Sequence, residues 1–404
     1  MTETTTRARG ATEMPVYMRR NEFEPVPELT ALRDGPRVAK VRTAFGMDVW
    51  AVTRHEDVRE VLSDAGTFSN TLGMARMAMM DDLSDAERAR MRAGNLLAFD
   101  PPDHTRLRRM LTPEFTIRRM RRLEPRIHEI VDEHLDAMEA KGPPSDLVTD
   151  FALPVPSLVI CELLGVPYAD RDEFQRRTGL LLDMSLPMAE RRRVGLESRE
   201  YMATLVTRAK ADPGEDLLGM LVREHGDDLS FDELAGIANL LLIAGHETTS
   251  NMLGLGTLAL LRHPDQLAIV RDDPDAIEPA VEELLRWLSI VHSGTMKTTT
   301  ADTEIGGVAI PKGDTVLCAL PAANRDPRSL DDPDRLDVTR GAIGHVAFGH
   351  GIHHCLGAPL ARMEMRIGFP ALLRRFPTLA EVPGSADFRS FHVIYGMAKM
   401  EVTW

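Results

Sequence analysis

The sequence is short of cysteine, of positive charge and of long apolar runs. Its 404 residues include only three cysteines, Cys161, Cys318 and Cys355, and this odd number does not suggest a secreted disulfide framework. The formal net charge of -14 argues against a nucleic-acid-binding protein, because phosphate binding needs an excess of Lys and Arg. No run reaches the roughly 18 apolar residues of a membrane span, and the N-terminus lacks the apolar core of a signal peptide. We therefore expect a cytoplasmic protein with neither a membrane nor a nucleic-acid partner.

Other absences bear on the domain organisation. The chain has no internal repeat and no linker rich in Gly, Ser or Pro, so we predict a single domain over residues 1–404. No Gly-x-Gly-x-x-Gly opens a βαβ unit, and no cysteine set could hold an iron-sulfur cluster. We therefore expect no fused reductase.

Helical periodicity dominates what is present. Apolar residues recur three and four apart at 123–140, 230–262 and 276–288. Shorter β-branched segments at 303–310 and 315–320 are typical of strands in small sheets. Residues 321–347 are rich in Pro, Asp and Gly without periodicity, which predicts a long ordered loop. The predicted fold class is mainly α with small β-sheets.

One predicted helix is unusually long. Ser230 and Glu233 form a capping box, which marks a helix start, and His263-Pro264 marks its end. A helix of about 30 residues is roughly 45 Å long and crosses the whole molecule. We expect this helix to lie at the centre of the fold.

Polar residues interrupt the middle of this helix at Gly245, Glu247 and Thr248. In one interpretation the hydroxyls bond back to carbonyls four residues earlier, which is common in helices. In the other, Gly245 lets a flat group approach the backbone while Thr248 and Glu247 handle protons beside it. The helix alone leaves both interpretations open.

The loop around Cys355 is the strongest candidate site. Gly349, Gly351 and Gly357 flank this cysteine and permit backbone conformations that side chains would block, so the thiol should be displayed. Cys161 and Cys318 lie in apolar stretches and should pack as small hydrophobes. A displayed thiolate suits a haem iron, because it donates electron density that favours cleavage of an O–O bond.

Two other uses of this loop are compatible with its residues. His350, His353 and His354 could join the cysteine in a zinc cluster, although no second ligand pair is present. A neighbouring histidine could instead activate Cys355 as a nucleophile, although residues adjacent in sequence seldom form such a pair.

Three landmarks in order resemble the cytochrome P450 family over nearly the whole chain. They are the cysteine loop from Phe348 to Gly357, Ala244-Gly245-His-Glu-Thr248 in the long helix, and Glu283-x-x-Arg286. The resemblance implies a cytochrome P450 fold with haem b held between the long central helix and the cysteine loop. It also implies a monooxygenase that uses dioxygen.

The resemblance assigns roles to particular residues. Cys355 would be the thiolate ligand of the metal, flanked by Phe348 and Gly357 at the cofactor. Ala244 and Gly245 would lie over the haem. Thr248 and Glu247 would be catalytic and supply protons to bound dioxygen. Further contacts implied by the family are propionate ligands at His104, Arg108, His353 and Lys297, and a structural triad of Glu283, Arg286 and Arg335.

The substrate and partners follow from the same resemblance. The segments that would contact substrate are apolar, so we expect a hydrophobic small molecule such as a secondary metabolite, a terpenoid or steroid-like compound, or a xenobiotic. The residues concerned are Met77, Leu180, Ile290, Val291, Val393 and Ile394. Intact Glu247 and Thr248 argue against the alternatives, a peroxide-driven peroxygenase and a non-enzymatic haem-binding sensor.

Electrons should come from a ferredoxin and a ferredoxin reductase, and so indirectly from NAD(P)H. Eight Arg residues between 106 and 126 form a basic segment in an acidic chain, where a small acidic ferredoxin could dock. A solvated helix face would show the same composition.

Overall fold

The computed structural model describes residues 14–73, 84–341, 344–389 and 391–404. Met77 lies outside these residues. Helices account for most of the described chain: α1 (Pro27–Asp34), α2 (His55–Ser63), α3 (Asp85–Arg92), α4 (Asp103–Leu111), α5 (Ile117–Met120), α6 (Glu124–Lys141), α7 (Pro154–Leu164), α8 (Arg171–Leu182), α9 (Met188–Ala211), α10 (Leu217–His225), α11 (Phe231–Arg262), α12 (Pro264–Asp272), α13 (Ile277–Leu288), α14 (Leu320–Ala323) and α15 (Ala358–Arg375).

Short helical turns lie between these helices. A π-helical turn spans Val148–Ala152, and 3-10 turns occur at Val16–Met18, Leu96–Ala98, Thr112–Phe115, Tyr168–Asp170, Pro274–Ala276 and Gly351–His353. None of the helices in the described ranges combines the length and apolarity needed to cross a bilayer.

The strands are few and short: β1 (Arg20–Asn21), β2 (Glu24–Pro25), β3 (Val38–Arg42), β4 (Asp48–Val52), β5 (Phe68–Ser69), β6 (Ser145–Asp146), β7 (Thr295–Thr299), β8 (Thr303–Ile305), β9 (Val308–Ile310), β10 (Thr315–Cys318), β11 (Ala380–Glu381), β12 (Asp387–Phe388), β13 (Met397–Lys399) and β14 (Glu401–Thr403). The largest sheet has the order β3-β4-β10-β7-β5, and only its β4–β10 pair is parallel. A three-stranded sheet (β11-β14-β6) and the pairs β1-β2, β8-β9 and β12-β13 complete the set.

The predicted strand segment at 303–310 is the hairpin β8–β9. Gly306 and Gly307 form its two-residue turn with φ of 57° and 85°, a conformation that favours glycine at both positions. The prediction of a mainly α protein with small sheets is confirmed.

The long helix α11 begins and ends close to where the sequence predicts. Ser230 and Glu233 form the capping box in both directions, and His263 is the C-cap. Most of the helix is buried, because α7, α9 and α15 pack around it. Such a helix is apolar on nearly all sides, as its sequence is. The predicted central helix is therefore confirmed.

The loop before the cysteine is anchored by Glu283 and Arg286. Both side chains are buried, and the guanidinium donates to both carboxylate oxygens at 2.7 and 2.8 Å. The remaining donors of Arg286 bind loop carbonyls, among them that of Pro333 at 2.7 Å and that of Arg335 at 3.3 Å. One buried ion pair therefore organises a loop that has no regular hydrogen-bonding pattern of its own.

The prediction that the Arg335 side chain completes this triad is wrong. Arg335 presents its carbonyl to Arg286, so its side chain turns outward, where it is 62% exposed and pairs with Asp337. The inward guanidinium belongs to Arg340, whose Nε lies 3.3 Å from Glu283 Oε1. Arg340 also donates to the carbonyls of Asp331 and Asp332. The turn after Arg335 thus brings a later arginine to the buried carboxylate.

Candidate active site

The cysteine loop places an exposed thiol at the start of α15. The Cys355 amide donates to the Phe348 carbonyl at 2.9 Å, which closes the loop. Gly349 and Gly351 have φ of 72° and 70°, and a Cβ on Gly351 would lie 2.5 Å from the Leu62 carbonyl oxygen. These glycines are therefore required by the backbone, as the sequence predicts.

The three cysteines differ as predicted. Cys161 and Cys318 are buried, and burial raises the pKa of each thiol to about 12. Desolvation also raises the pKa of Cys355, but the amides of Gly357 and Ala358 oppose that effect. Backbone N–H groups at a helix start stabilise an anionic sulfur, which a metal-bound thiolate requires.

Two histidines beside the loop have buried ring nitrogens that lack hydrogen-bond partners. The rings of His104 and His353 lie 4.3 Å apart, and within the described chain none of their four ring nitrogens has a partner. Burial, together with the charge of Lys297, lowers the pKa of His353 to about 3. A neutral imidazole still offers one N–H donor. Buried donors without partners are costly, so this position favours a ligand that carries acceptors.

Two cations stand close to these histidines. Lys297 is buried, and its Nζ donates to Asn70 Oδ1 at 2.9 Å. Arg108 donates to the carbonyl of His354 at 2.8 Å, which places α4 against the cysteine loop. The predicted propionate ligands are thus brought together, and they fit the two carboxylates of a haem.

The polar interruption of α11 has two faces. Thr248 and Ala244 are accessible, and the Thr248 hydroxyl donates to the Ala244 carbonyl at 2.7 Å. The hydroxyl of Ser250 bonds back in the same way, so the simpler interpretation of these side chains is correct as far as it goes. Back-bonding leaves the lone pairs of the Thr248 oxygen able to accept a further hydrogen bond.

Gly245 packs against another helix. A Cβ at this position would lie 2.7 Å from Cδ1 of Ile160 on α7. The glycine therefore lets two helices pack closely, and the expectation that it admits a flat group to the backbone stays a prediction.

Glu247 points to a different side of the helix and is buried. Its Oε2 accepts from Arg389 at 2.8 Å and from Asn251 Nδ2 at 3.2 Å. Burial opposes ionisation, but the Arg389 guanidinium holds the pKa of Glu247 below its usual value. A cavity of about 10 Å³, room for roughly one water, adjoins Glu247 and Arg389.

The apolar segments predicted to contact substrate converge. The Val393 amide donates to the Leu182 carbonyl at 2.9 Å, and the Tyr395 amide donates to the Ile290 carbonyl at 2.8 Å. Leu180, Val291 and Val393 are half-buried. Ile290 and Ile394, in contrast, are buried in the main core cluster, so for these two a contact with substrate stays a prediction. Neighbouring residues of an extended segment point to opposite sides.

Comparison with known proteins shows the family. A sequence model described as Cytochrome P450 matches residues 183–387. The chain is 50% identical over 397 residues to Cytochrome P450 FAS1 of Rhodococcoides fascians, which covers 98% of this chain and 100% of that protein. This chain belongs to the cytochrome P450 family. It is therefore a haem-binding monooxygenase.

Solved structures of other cytochromes P450 share the fold. StaH from the biosynthesis of the glycopeptide antibiotic A47934 is 45% identical with a TM-score of 0.86, and the match covers 97% of this chain and 100% of that one. CYP105P1, solved in complex with filipin I, is 40% identical with a TM-score of 0.90 and coverage of 96% and 97%. The predicted cytochrome P450 fold is confirmed.

The zinc alternative finds no support in this cytochrome P450. Within the described ranges, no group of three or more His, Cys, Asp or Glu residues could hold a metal ion. The His353 ring turns to His104 instead of joining a cluster at Cys355.

Sequence reasoning missed three partners in the site, Arg340, Arg389 and Asn70. Each acts through a contact with a residue far away in the chain. Arg389 lies 142 residues from Glu247, and Asn70 lies 227 residues from Lys297. No local pattern marks such pairs.

Proposed function

We propose that this cytochrome P450 hydroxylates a hydrophobic small molecule of secondary metabolism, with Cys355 as the haem ligand and electrons from a separate ferredoxin system. The observation that carries the proposal is the exposed Cys355 thiol in its glycine-bounded loop, beside the unpartnered rings of His104 and His353. A thiol donor next to unpaired N–H donors suits a cofactor with a metal and two carboxylates.

The residues around the loop would hold that cofactor. Cys355 would bind the iron, while His104, Arg108 and His353 would donate to the propionates. Lys297 is buried beside them and would add a compact positive charge, because an ammonium cannot grip a carboxylate with the fork of an arginine. Phe348 and Gly357 flank the thiol; a Cβ on Gly357 would meet no atom within 4 Å, so the backbone there is open to a flat ring.

When bound, the haem supplies dioxygen activation and the insertion of one oxygen atom into a C–H bond. The protein's own contribution is to move protons and exclude water. Thr248 would accept a hydrogen bond from a water, since its hydroxyl is accessible. Glu247 stays ionised on a buried side of α11 and would collect a proton through the adjoining cavity for delivery towards Thr248.

Apolar side chains support a hydrophobic substrate. Ala244, Leu180, Val291 and Val393 are accessible or half-buried, and their side chains carry no hydrogen-bonding groups. The related StaH belongs to the biosynthesis of a glycopeptide antibiotic, and the related CYP105P1 binds filipin I in its structure. These relatives support a bulky secondary metabolite as the substrate class for this chain.

A basic surface beside the cysteine loop would receive the ferredoxin. Arg109, Arg118, Arg121 and Arg122 are exposed, and in the part of the chain that the structure describes none of them forms an ion pair. We call these four residues the arginine surface. Arg108, next to it in α4, touches the cysteine loop, so an acidic ferredoxin bound there would stand near Cys355. A ferredoxin reductase would use NAD(P)H to reduce the ferredoxin again.

The spectrum of the reduced protein with carbon monoxide tests the haem assignment. The thiolate-type Soret band should appear in the wild type and disappear in Cys355→Ala. A band that persists in Cys355→Ala contradicts the assignment of this ligand.

Product analysis separates the remaining alternatives. With ferredoxin, reductase, NAD(P)H and dioxygen, hydroxylated product should form from bulky apolar compounds. Product formed with peroxide but not with this system would indicate a peroxygenase, and ligand binding with neither chemistry would indicate a sensor.

A further inference from the structure

A half-buried ion pair lies beside the cysteine loop, apart from the groups described so far. Arg362 on α15 donates from Nε to Glu282 Oε1 at 2.5 Å and from Nη2 to Oε2 at 2.8 Å. His345 Nε2 lies 3.2 Å from the same Oε2. The side chains of Arg362 and Glu282 are only 24% and 13% exposed, so water screens this pair less than a surface pair.

This pair is coupled to the cysteine through one aromatic ring. The Arg362 guanidinium lies 4.6 Å from the centre of the Phe348 ring, a cation–π contact. The Phe348 carbonyl is the acceptor of the Cys355 amide. The pair is therefore linked to the cysteine through Phe348.

Reduction of a thiolate-ligated haem adds one electron and breaks no bond. A nearby positive charge stabilises the reduced state and raises the potential, whereas a nearby negative charge lowers it. In this protein the two charges are joined by a bidentate contact, so each limits the effect of the other. Loss of either partner would leave an uncompensated charge near the ligand.

We propose that Glu282 and Arg362 are positioning residues that set the reduction potential of the haem, Arg362 through its charge near Cys355 and Glu282 by partly neutralising that charge. This inference rests on the proposed ligation of the iron by Cys355. If the pair sets this potential, the first electron transfer to the haem depends on an ion pair that has no part in binding substrate or dioxygen.

The same two helices carry a matched control pair. One turn later on α15 and one turn earlier on α13, Arg366 Nη1 lies 3.0 Å from Glu278 Oε1. Their side chains are 37% and 68% exposed, and Arg366 lies about 6 Å further along α15 from the cysteine end. This pair joins the helices in the same manner but is better screened and more distant. Its loss should leave the potential unchanged.

The test is a reductive titration of the haem-loaded protein at about pH 8, where ordinary imidazoles are neutral. Glu282→Gln keeps the side-chain shape and should shift the potential upward. Arg362→Gln should shift it downward, and the double variant should return near the wild-type value. Arg362→Lys preserves the charge and should stay close to wild type. Glu278→Gln and Arg366→Gln should not move it.

The carbon monoxide spectrum is recorded for every variant to confirm thiolate ligation. If the wild type lacks the thiolate band, the proposed ligation fails, and this inference fails with it. If the band is present but both single substitutions shift the potential in the same direction, or neither shifts it, the pair merely joins two helices. If Arg362→Gln does not take up haem, the comparison of Glu282→Gln with Arg362→Lys and Glu278→Gln decides the question.

Discussion

Arg389 donates to Glu247 at 2.8 Å and so joins the residue after β12 to the middle of the central helix. The carboxylate is 2% exposed, while the arginine side chain is 21% exposed. An acid buried to this degree would ordinarily become neutral, because burial disfavours the charged form. Arg389 is the contact that keeps Glu247 ionised beside the accessible Thr248.

Replacement of Arg389 by Gln should therefore change the pH profile of turnover. Without the guanidinium, burial dominates and raises the pKa of Glu247, so the carboxylate protonates at a higher pH. We expect the acidic limb of coupled product formation to move up by about one pH unit or more. Arg389→Lys retains the charge and is the control. An unchanged limb in Arg389→Gln would contradict the role of this pair.

Replacement of Thr248 by Ala should uncouple NAD(P)H consumption from product. The accessible hydroxyl would be lost, so proton delivery at this position would no longer be controlled, and dioxygen would be reduced without forming product. We expect product per NAD(P)H to fall about tenfold. Thr257→Ala on the same helix removes a buried back-bonded hydroxyl and should leave coupling intact. Equal product per NAD(P)H in wild type and Thr248→Ala would contradict the proposed role of Thr248.

Stability should distinguish Arg340 from Arg335. Arg340→Ala removes a charge 3.3 Å from the buried Glu283 and two hydrogen bonds to loop carbonyls, which should cost about 2 kcal/mol of unfolding free energy. Arg335→Ala removes an exposed pair with Asp337 and should cost less than about 1 kcal/mol. Urea unfolding of the two variants measures these losses of free energy. A larger loss in Arg335→Ala than in Arg340→Ala would restore Arg335 to the triad.

The contribution of Glu282 to stability should depend on pH. Burial alone would raise its pKa, but hydrogen bonds from Arg362 and His345 lower it to about 2. Because the unfolded chain binds the proton at a higher pH, the contribution is present above about pH 4.5 and is lost as the pH falls towards 2. At neutral pH it amounts to about 3 kcal/mol.

Unfolding of wild type and Glu282→Gln across this range provides the measurement. The stability difference should be largest near neutral pH and shrink below about pH 4. Glu278→Gln, at an exposed site, should differ from wild type by less than about 1 kcal/mol throughout. A Glu282→Gln difference that does not vary with pH would argue against the ion pair.

Charge reversal on the arginine surface should weaken ferredoxin docking. Arg118→Glu with Arg122→Glu should raise the KM for an acidic ferredoxin about tenfold at low salt, and the effect should shrink as ionic strength rises. Reduction by dithionite should be unaffected. Arg42→Gln, in the β3–β4 hairpin, removes an exposed arginine elsewhere and should not change the KM. Equal KM values for all variants would place the docking site on another surface.

Much of this fold could be predicted because its signals are local. The capping box at Ser230 and the proline after His263 fixed the limits of α11 within a residue or two. The glycines around Cys355 predicted an exposed thiol, since Gly349 and Gly351 adopt backbone angles that other residues avoid. Helical periodicity, caps and glycine turns depend on neighbours in the chain, so they can be recognised without the fold.

Side-chain direction in irregular segments was decided only by the tertiary structure. Arg335 and Arg340 lie in the same aperiodic loop, and which one turns inward depends on the carbonyls that Arg286 binds. Gly245 is explained by Ile160 on another helix, and Glu247 by an arginine 142 residues away. Long-range packing and ion pairs have no sequence period. Local sequence signals therefore determined the helices and the exposure of the Cys355 thiol. Tertiary contacts decided which charged side chains lie around them.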